Sequence, residues 1–263
     1  MTFQPIVPFN GYAGWLFLDR TSDQQRAAFT ESAHVVRVTE SFRERIGDIR
    51  TAEDLVQDRE LLGVALGAFG LDEDINNTFF IKKMLEDGSV KPDALANRLS
   101  DNRYSDFSKA FGFGDFSISR TALSFFADEI IDRYEAKQFE RAVGEQNNDM
   151  RLALNLAPAI EDVIEGNRSN NGQWFAMMGN APLRSMFQTA LGFPSSFATI
   201  DLDQQLEQFQ ARAEATFGTN QMSELSSPEN HEKMIRLYML RSESSNVNGT
   251  SGASIALSLL QQI

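Results

Sequence analysis

The chain contains no cysteine, and among its 263 residues it has only two histidines. Without thiols there is no disulfide, no thiolate nucleophile and no zinc–thiolate site, and the redox compartment is left open. Neither His34 nor His231 lies in a metal-ligand motif such as His-Glu-x-x-His. From these absences we expect no bound metal.

Basic residues are also scarce, since 24 lysines and arginines face 37 acidic residues and the net charge is −13. This charge repels phosphate backbones, and no dense basic run reverses it locally, so we expect no nucleic-acid partner. No apolar stretch reaches the length of a membrane-spanning helix, and the first residues lack the basic start and apolar run of a signal peptide. The sequence therefore predicts neither membrane insertion nor a cleavable signal.

The nearest approach to a cation site begins at Asp72, where the sequence starts like a calcium-binding loop. The position that needs glycine is Asn77, and the position that needs a bidentate glutamate is Lys83. No Gly-x-Ser-x-Gly nucleophile elbow occurs, and Gly112-x-Gly114 lacks the third glycine of a dinucleotide fingerprint. The sequence predicts no catalytic, cofactor-binding or metal-binding residue and no cofactor, and it leaves open a carboxylate pair formed by tertiary contact.

What is present is helical punctuation. Apolar residues recur every three or four positions, Thr51-x-x-Asp54 has capping-box spacing, and Ser227-Pro228 places proline directly after an N-cap residue. Eight glycines fall where periodic stretches stop, as expected of helix ends: Gly47, Gly70, Gly88, Gly112, Gly144, Gly166, Gly192 and Gly218. These signals predict an all-α, multi-helix globular fold, with residues 21–241 as the helical domain.

Two stretches of the sequence recur in weakened form. FRERIG at residues 42–47 is echoed by FERAVG at 139–144, and FSKAFGF at 107–113 by FQTALGF at 187–193. The matching positions carry apolar residues and glycines, so packing is repeated rather than chemistry. An internal duplication explains the echo. The alternative is that any amphipathic helix followed by a glycine stop has this pattern.

A duplication would relate two weakly similar helical segments, at about residues 40–116 and 137–195. Residues 120–143 contain neither glycine nor proline, which predicts one long central helix of roughly 35 Å at 1.5 Å per residue. Two copies are fewer than a self-supporting solenoid needs, so we expect the copies to pack on each other across this helix.

The two ends of the sequence differ from the rest. Residues 1–20 carry prolines, glycines and aromatics without helical period, and we predict a non-helical, extended segment packed on the core. Residues 242–263 begin as a Ser-, Asn- and Gly-rich stretch, which predicts a flexible linker followed by an apolar peptide. We predict that this peptide docks on the chain's own body or on another chain. Its candidate partner-contact residues are Ile255, Leu257, Leu259 and Leu260.

Several runs resemble the bacterial family known as domain of unknown function 1217. The most specific are TAEDLV at residues 51–56, RELLGVALGAFGL at 59–71, FIKKMLEDG at 80–88 and LANRLSDNRY at 95–104. GYAGW at residues 11–15 and LSLLQ at 257–261 are similar to longer members. Some members carry more than one copy of the domain, which agrees with the echo in this sequence.

The resemblance implies no activity and no site residue, because the family has neither an assigned reaction nor a catalytic motif. Some members are encoded among flagellar genes. We therefore expect a non-enzymatic structural or accessory protein of the bacterial flagellum. It would act through protein–protein contacts, with a partner or by self-association, and lie in the cytoplasm or be exported to the flagellum.

Two other hypotheses remain open from the sequence. One is an enzyme or small-ligand-binding protein whose carboxylate- and amide-lined site lies between the two helical segments; a concave polar pocket with perturbed carboxylates would favour it. The other is a cytosolic regulator of flagellar assembly. Whether the protein is an enzyme is left uncertain, with the absence of motifs favouring a non-enzyme.

Overall fold

The computed structural model describes residues 3–99, 101–166 and 169–249, with the backbone alone described for 245–249. Within these residues the chain is all-α and contains no strand, so the predicted fold class is confirmed. The first helices are α1 (Gly11–Thr30), α2 (Ala33–Arg45), α3 (Ala52–Gln57), α4 (Arg59–Gly67), α5 (Thr78–Asp87), α6 (Leu95–Arg98), α7 (Arg103–Phe111) and α8 (Phe126–Gln146). Those that follow are α9 (Asn148–Leu154), α10 (Leu156–Gly166), α11 (Asn170–Gly179), α12 (Ala181–Ala190), α13 (Leu202–Phe217), α14 (Met222–Leu225) and α15 (Pro228–Gly249).

Short 3-10 turns connect some of these helices. Their bounds are Ile46–Asp48, Asp72–Asn76, Arg120–Ala122 and Ser195–Thr199. The described chain forms two compact units: the first takes residues 3–6 and 21–143, and the second takes residues 7–20 and 144–249. Helices α1 and α8 each supply residues to both units.

The predicted capping box at the start of α3 is present. The Thr51 hydroxyl oxygen accepts a hydrogen bond from the Asp54 amide at 3.1 Å, and the Asp54 carboxylate accepts one from the Thr51 amide at 2.9 Å. Each bond satisfies a backbone donor that the first helical turn leaves without a partner. Reciprocal capping of this kind sets where α3 begins.

Aromatic side chains dominate the core of the first unit. Phe107, Phe111 and Phe126 are fully buried, and the Phe111 ring lies 4.9 Å from Phe107 and 5.1 Å from Phe126 between ring centroids. Aromatic pairs in tilted or edge-to-face geometry gain roughly 0.5–1.5 kcal/mol beyond the burial of their area. This cluster ties α7 to the beginning of α8.

The second unit has its own aromatic core and a polar link to α15. Trp174 is fully buried, its ring meets Phe187 edge-on at 5.7 Å, and its indole N–H donates to the Asn220 carbonyl at 2.8 Å. The Tyr238 hydroxyl on α15 donates to the Asp149 carboxylate on α9 at 2.6 Å. A buried polar tip therefore finds a partner in each case, as burial requires.

The N-terminal segment is non-helical over residues 3–10, as predicted, but the predicted boundary at residue 20 is wrong. Helix α1 already begins at Gly11, where φ is 60°. Trp15 and Leu18 on this helix are 7% and 0% exposed. Burial of these side chains outweighs the weak helix propensity of Gly11 and Gly14. The prediction of a non-helical segment depended on such local propensities.

The long central helix is shifted from the predicted residues 120–143. Helix α8 spans Phe126–Gln146, and Arg120–Ala122 forms a 3-10 turn. The Thr121 hydroxyl donates to the Ile49 carbonyl at 2.5 Å, which holds this stretch against the end of the 3-10 turn Ile46–Asp48. Gly144, predicted to stop a helix, lies inside α8.

The C-terminal boundary is also corrected. Residues 242–249, predicted as the start of a flexible linker, continue helix α15. The Ser242 hydroxyl donates to the Asp149 carboxylate at 2.6 Å, and the Ser244 hydroxyl donates to the Leu240 carbonyl at 3.0 Å. These local and tertiary bonds support a serine-rich stretch in helical form, although serine has modest helix propensity.

Part of the sequence echo has a structural counterpart. Phe107 and Phe187 are both 0% exposed, and Gly112 and Gly192 follow the ends of α7 and α12 with φ of 65° and 74°. Positive φ is the reason that glycine stands at both positions. The other echo places Phe139 in the first unit, with the residue it repeats, so the copies are not divided one to each unit. The duplication itself stays a prediction.

Candidate functional site

Five exposed apolar side chains of the first unit lie on two short stretches of chain. Their exposed fractions are 72% for Val90, 55% for Phe116, 74% for Ile118, 41% for Leu123 and 55% for Phe125. We call these five residues the apolar patch. Single exposed apolar residues are normal, but large ones grouped together on a folded surface are typical of binding sites.

Asp115 joins the two stretches that carry the apolar patch. Its carboxylate accepts hydrogen bonds from the Ser89 amide at 2.9 Å, the Ser89 hydroxyl at 2.8 Å and the Val90 amide at 3.0 Å. Hydrogen bonds to an ionised carboxylate are about twice as strong as neutral ones. The loop after α7 is thereby fixed to the loop after α5, and the Val90 backbone is held on Asp115, the residue before Phe116.

The same contacts shift the ionisation of Asp115. Burial by itself would raise the pKa of this carboxyl, but the amides of Val90 and Ser89, the Ser89 hydroxyl and the Lys91 charge together lower it below its ordinary value. Hydrogen bonds to the charged form favour that form. Asp115 is therefore a carboxylate at neutral pH, and it acts as an anchor for the loop.

Glycine at position 114 permits the close approach of these loops. A Cβ there would lie against the Glu86 carbonyl oxygen and 2.5 Å from the Gly88 nitrogen, and both are backbone atoms that cannot swing aside. Any side chain at position 114 would separate the two stretches. The glycine therefore has a packing role, which replaces the dinucleotide fingerprint that Gly112-x-Gly114 resembles in the sequence.

A second anchor holds the far side of the apolar patch. The hydroxyl groups of Thr121 and Ser119 both lie on the Ile49 carbonyl oxygen, at 2.5 and 3.4 Å, and both residues are buried. Phe126, directly after Phe125, is fully buried in the aromatic core. The backbone that carries Ile118, Leu123 and Phe125 is therefore held at residues 119, 121 and 126.

Charges of both signs lie at the edge of the apolar patch. Lys91 is close enough to Asp115 to lower its pKa, and the Arg120 guanidinium lies 3.7 Å from the Glu129 carboxylate. Asp93 is a further exposed acidic residue in the loop that carries Val90 and Lys91. The edge therefore has no excess of positive charge.

The sequence-predicted contact residues Ile255, Leu257, Leu259 and Leu260 lie outside the described residues. The residues of the calcium-like loop have other partners: Asp72 accepts from Gln138 at 2.8 Å, and Asp74 accepts from Tyr104 at 2.6 Å. Burial, followed by the hydrogen bond to Asp74, raises the pKa of Tyr104 to about 12. Nowhere in the described chain do three or more histidine or acidic side chains converge in a way that could hold a metal ion.

Two open clefts flank Phe193 in the second unit, with volumes of about 220 and 350 Å³. The Arg212 guanidinium lies over the Phe193 ring at 5.2 Å and donates to the Leu191 carbonyl at 3.5 Å. The Arg241 guanidinium donates to the Ala190 carbonyl at the end of α12. Arginines at this place satisfy the carbonyls that a helix C-terminus exposes. We assign these two side chains to that structural role.

None of the helices within the described ranges combines the length and the hydrophobicity needed to cross a bilayer. The residues of the apolar patch are not among those that the sequence predicts to bind a partner. Its signal is four large apolar residues, 116, 118, 123 and 125, in a stretch without helical period. Assigning residues 120–143 to one helix hid that signal.

Comparisons with known proteins define the family and leave the function open. A family model described as "Protein of unknown function (DUF1217)" matches residues 68–231. An Agrobacterium tumefaciens structural-genomics target solved by X-ray crystallography is similar in fold, with a TM-score of 0.72 and 23% identity over 92% of this chain and 99% of that chain. No curated protein matches. Since the family model covers more than half of the sequence, the chain belongs to the DUF1217 family.

Proposed function

We propose that this protein is a non-enzymatic structural or accessory protein that acts through protein–protein contacts at the bacterial flagellum. The observation that carries the contact part is the apolar patch, in which five large side chains are exposed on an anchored backbone. Their exposed area is roughly 500 Å², a size at which patches on folded proteins are often functional.

Covering this area releases a useful amount of free energy. At about 25 cal/mol per Å² the apolar patch contributes about 12 kcal/mol on burial, before the cost of association is subtracted. Anchoring by Asp115 and Thr121 reduces the entropy that binding has to remove from the loop. The balance supports a specific contact of moderate affinity.

The flagellar part of the proposal rests on the family. The resemblance implies an association of some members with flagellar genes, and this chain is acidic and has no cysteine, which is similar to proteins that the flagellar apparatus exports. A mainly apolar, anchored surface is what an accessory protein would present to a component of that apparatus. A regulator of assembly would present the same surface in the cytosol, so location separates these two forms of the proposal.

Deletion and complementation in the source bacterium test the proposal. We expect loss of motility on deletion and recovery with the unaltered chain. A triple variant of the apolar patch, Phe116→Ser with Ile118→Ser and Phe125→Ser, should not restore motility. Phe79→Ser is the control, since Phe79 is 77% exposed and lies at the start of α5, at the opposite end of the helix from the loop that carries Val90. Normal motility after deletion, or full recovery with the triple variant, would overturn the proposal.

A further inference from the structure

We propose that Asn10 is a modification site, where the side-chain amide is converted to a carboxylate after attack by the backbone nitrogen of Gly11. The sequence contains three Asn-Gly pairs, at residues 10–11, 171–172 and 248–249. Glycine after asparagine favours this attack, because no side chain obstructs the backbone nitrogen. The inference is independent of the apolar patch and of the proposed function.

The fold itself requires glycine at position 11. Its φ is 60°, and a Cβ at this position would overlap the carboxylate of Glu243 on α15. Helix α1 begins at Gly11, so the amide of this residue is among the first donors that find no acceptor within the helix. Asn10 is exposed to solvent. The attacking nitrogen is therefore not bound within α1, and water reaches the side chain that it attacks.

Two neighbouring side chains assist the reaction. The Asn147 side-chain amide donates to the Asn10 Oδ1 atom at 3.0 Å, and a donor at this oxygen stabilises the negative charge that develops there during attack. Asn147 is held in place because its own Oδ1 atom accepts from the Asp149 amide at the start of α9, at 3.0 Å. The Glu243 carboxylate lies directly against Gly11, where it acts as a general base for the amide proton.

The reaction consumes only water. The Gly11 nitrogen forms a bond to the side-chain carbonyl carbon of Asn10, and its proton passes to the Glu243 carboxylate. The bond from that carbon to Nδ2 then breaks, and the nitrogen leaves as ammonia with the proton that Glu243 returns. Water opens the resulting succinimide ring at either carbonyl, which leaves aspartate or isoaspartate at position 10. No oxidant or reductant is needed.

The product loosens the N-terminal segment from α1. The new carboxylate at position 10 lies near the Glu243 carboxylate, and like charges repel each other. Isoaspartate also adds a methylene group to the backbone between residues 10 and 11. The Phe9 carbonyl already packs so closely on Gly14 that a Cβ there would overlap it, so the longer backbone displaces this contact. The change is irreversible and accumulates with the age of the molecule.

Mass spectrometry of the full-length chain, incubated at neutral pH, tests the proposal. Trypsin releases residues 1–20 and 169–184 as separate peptides, and fragmentation locates the modified residue in each. Asn171 is an internal control, because it lies within α11 and the amide of Gly172 donates to the Ser169 hydroxyl oxygen at 3.1 Å. A second sample is incubated in urea, where neither pair has the help or the protection of the fold.

Two variants test the assisting side chains. Glu243→Gln removes the base, and Asn147→Asp removes the donor to Asn10 while keeping an oxygen that caps α9. In the folded chain position 10 should react at least about tenfold faster than position 171, and each variant should slow position 10 roughly tenfold without changing position 171. In urea the two positions should react at similar rates.

Thermal unfolding of both variants confirms that they fold. Equal rates at positions 10 and 171 in the folded chain, or an Asn10 that stays intact there while it reacts in urea, would overturn the proposal. Unchanged rates in both variants would overturn it as well, since the reaction would then owe nothing to Asn147 and Glu243.

Discussion

The Asp115 carboxylate accepts a hydrogen bond from the Val90 amide at 3.0 Å, across 25 residues of chain. The bond places a half-buried anion against the start of the loop after α5, which the Asn97 side-chain amide also holds through the Ser89 and Lys91 carbonyls. It joins the loop after α5 to the loop after α7. The stability of this junction therefore depends on the charge of Asp115, which gives the first prediction.

Asp115→Asn should lower the free energy of unfolding by about 1–2 kcal/mol at pH 7, because the bonds to the amides of Ser89 and Val90 weaken when the carboxylate charge is lost and solvent screens part of the effect. The pKa of Asp115 is lowered in the folded chain. Its contribution is therefore complete above the unfolded pKa of about 3.9 and is lost as pH falls through the folded pKa.

Urea unfolding of both proteins at pH 7 and under acidic conditions measures this difference. The difference in free energy of unfolding between the unaltered chain and Asp115→Asn should shrink as the pH falls below about 4. Asp93→Asn is the matched control, since Asp93 is an exposed aspartate in the same loop and its change should have little effect. An equal effect of both substitutions at pH 7 would show that net charge, and not the contact with Val90, is responsible.

Gly114→Ala should destabilise the first unit by about 1–3 kcal/mol, because the new methyl group meets backbone atoms of Glu86 and Gly88. Gly47→Ala is the control: a Cβ at Gly47 meets nothing within 4 Å. Thermal unfolding of both variants measures the difference. Equal melting temperatures for the two variants would contradict the close approach of the loops.

Phe125 and Phe126 are neighbours in sequence with opposite surroundings, one 55% and the other 0% exposed. Phe126→Ala should cost about 3–5 kcal/mol by opening a cavity in the aromatic core. Phe125→Ser should change stability by no more than about 0.5 kcal/mol and reduce association instead. Chemical denaturation separates the two effects. A large loss of stability from Phe125→Ser would place that ring in the core and remove it from the apolar patch.

The C-terminal peptide gives a further prediction. Buried side chains of Ile255, Leu257, Leu259 and Leu260 would each contribute about 1.5–3 kcal/mol before the linker is ordered. Truncation after Gly249 preserves the contacts of α15 and removes the peptide. We expect either lower thermal stability, from docking on the same chain, or weaker association at unchanged stability. Gln261→Ala is the control, and a truncated chain that matches the full chain in both respects would contradict docking.

The sequence predicted the fold class because helix signals are local. Three-four apolar spacing and the Thr51–Asp54 capping box depend on residues within a few positions of each other, and the structure contains both. Burial of Phe107 and Phe187 at equivalent positions also follows from local pattern. Such signals state what a segment forms, and they carry little information on where it ends.

The misplaced boundaries share one physical cause. Helix α1 begins at Gly11 because Trp15 and Leu18 are buried, and α15 continues through Ser242 because its hydroxyl reaches Asp149. Both depend on contacts distant in sequence. The apolar patch was not predicted for the same reason. The Thr121 hydroxyl bonds to the Ile49 carbonyl, 72 residues away in sequence, and this contact interrupts a stretch whose local pattern predicts a helix. Residue types alone do not encode that contact.

Site-specific photocrosslinking in the source bacterium tests the central claim most directly. A photoreactive amino acid replaces Ile118 in the apolar patch or, as a control, Phe79 outside it, and both side chains are more than 70% exposed. The account predicts a discrete adduct of defined mass from position 118, lost when Phe116→Ser and Phe125→Ser are added, and no such adduct from position 79. Absence of an adduct at 118, or adducts of equal yield at both positions, would contradict it.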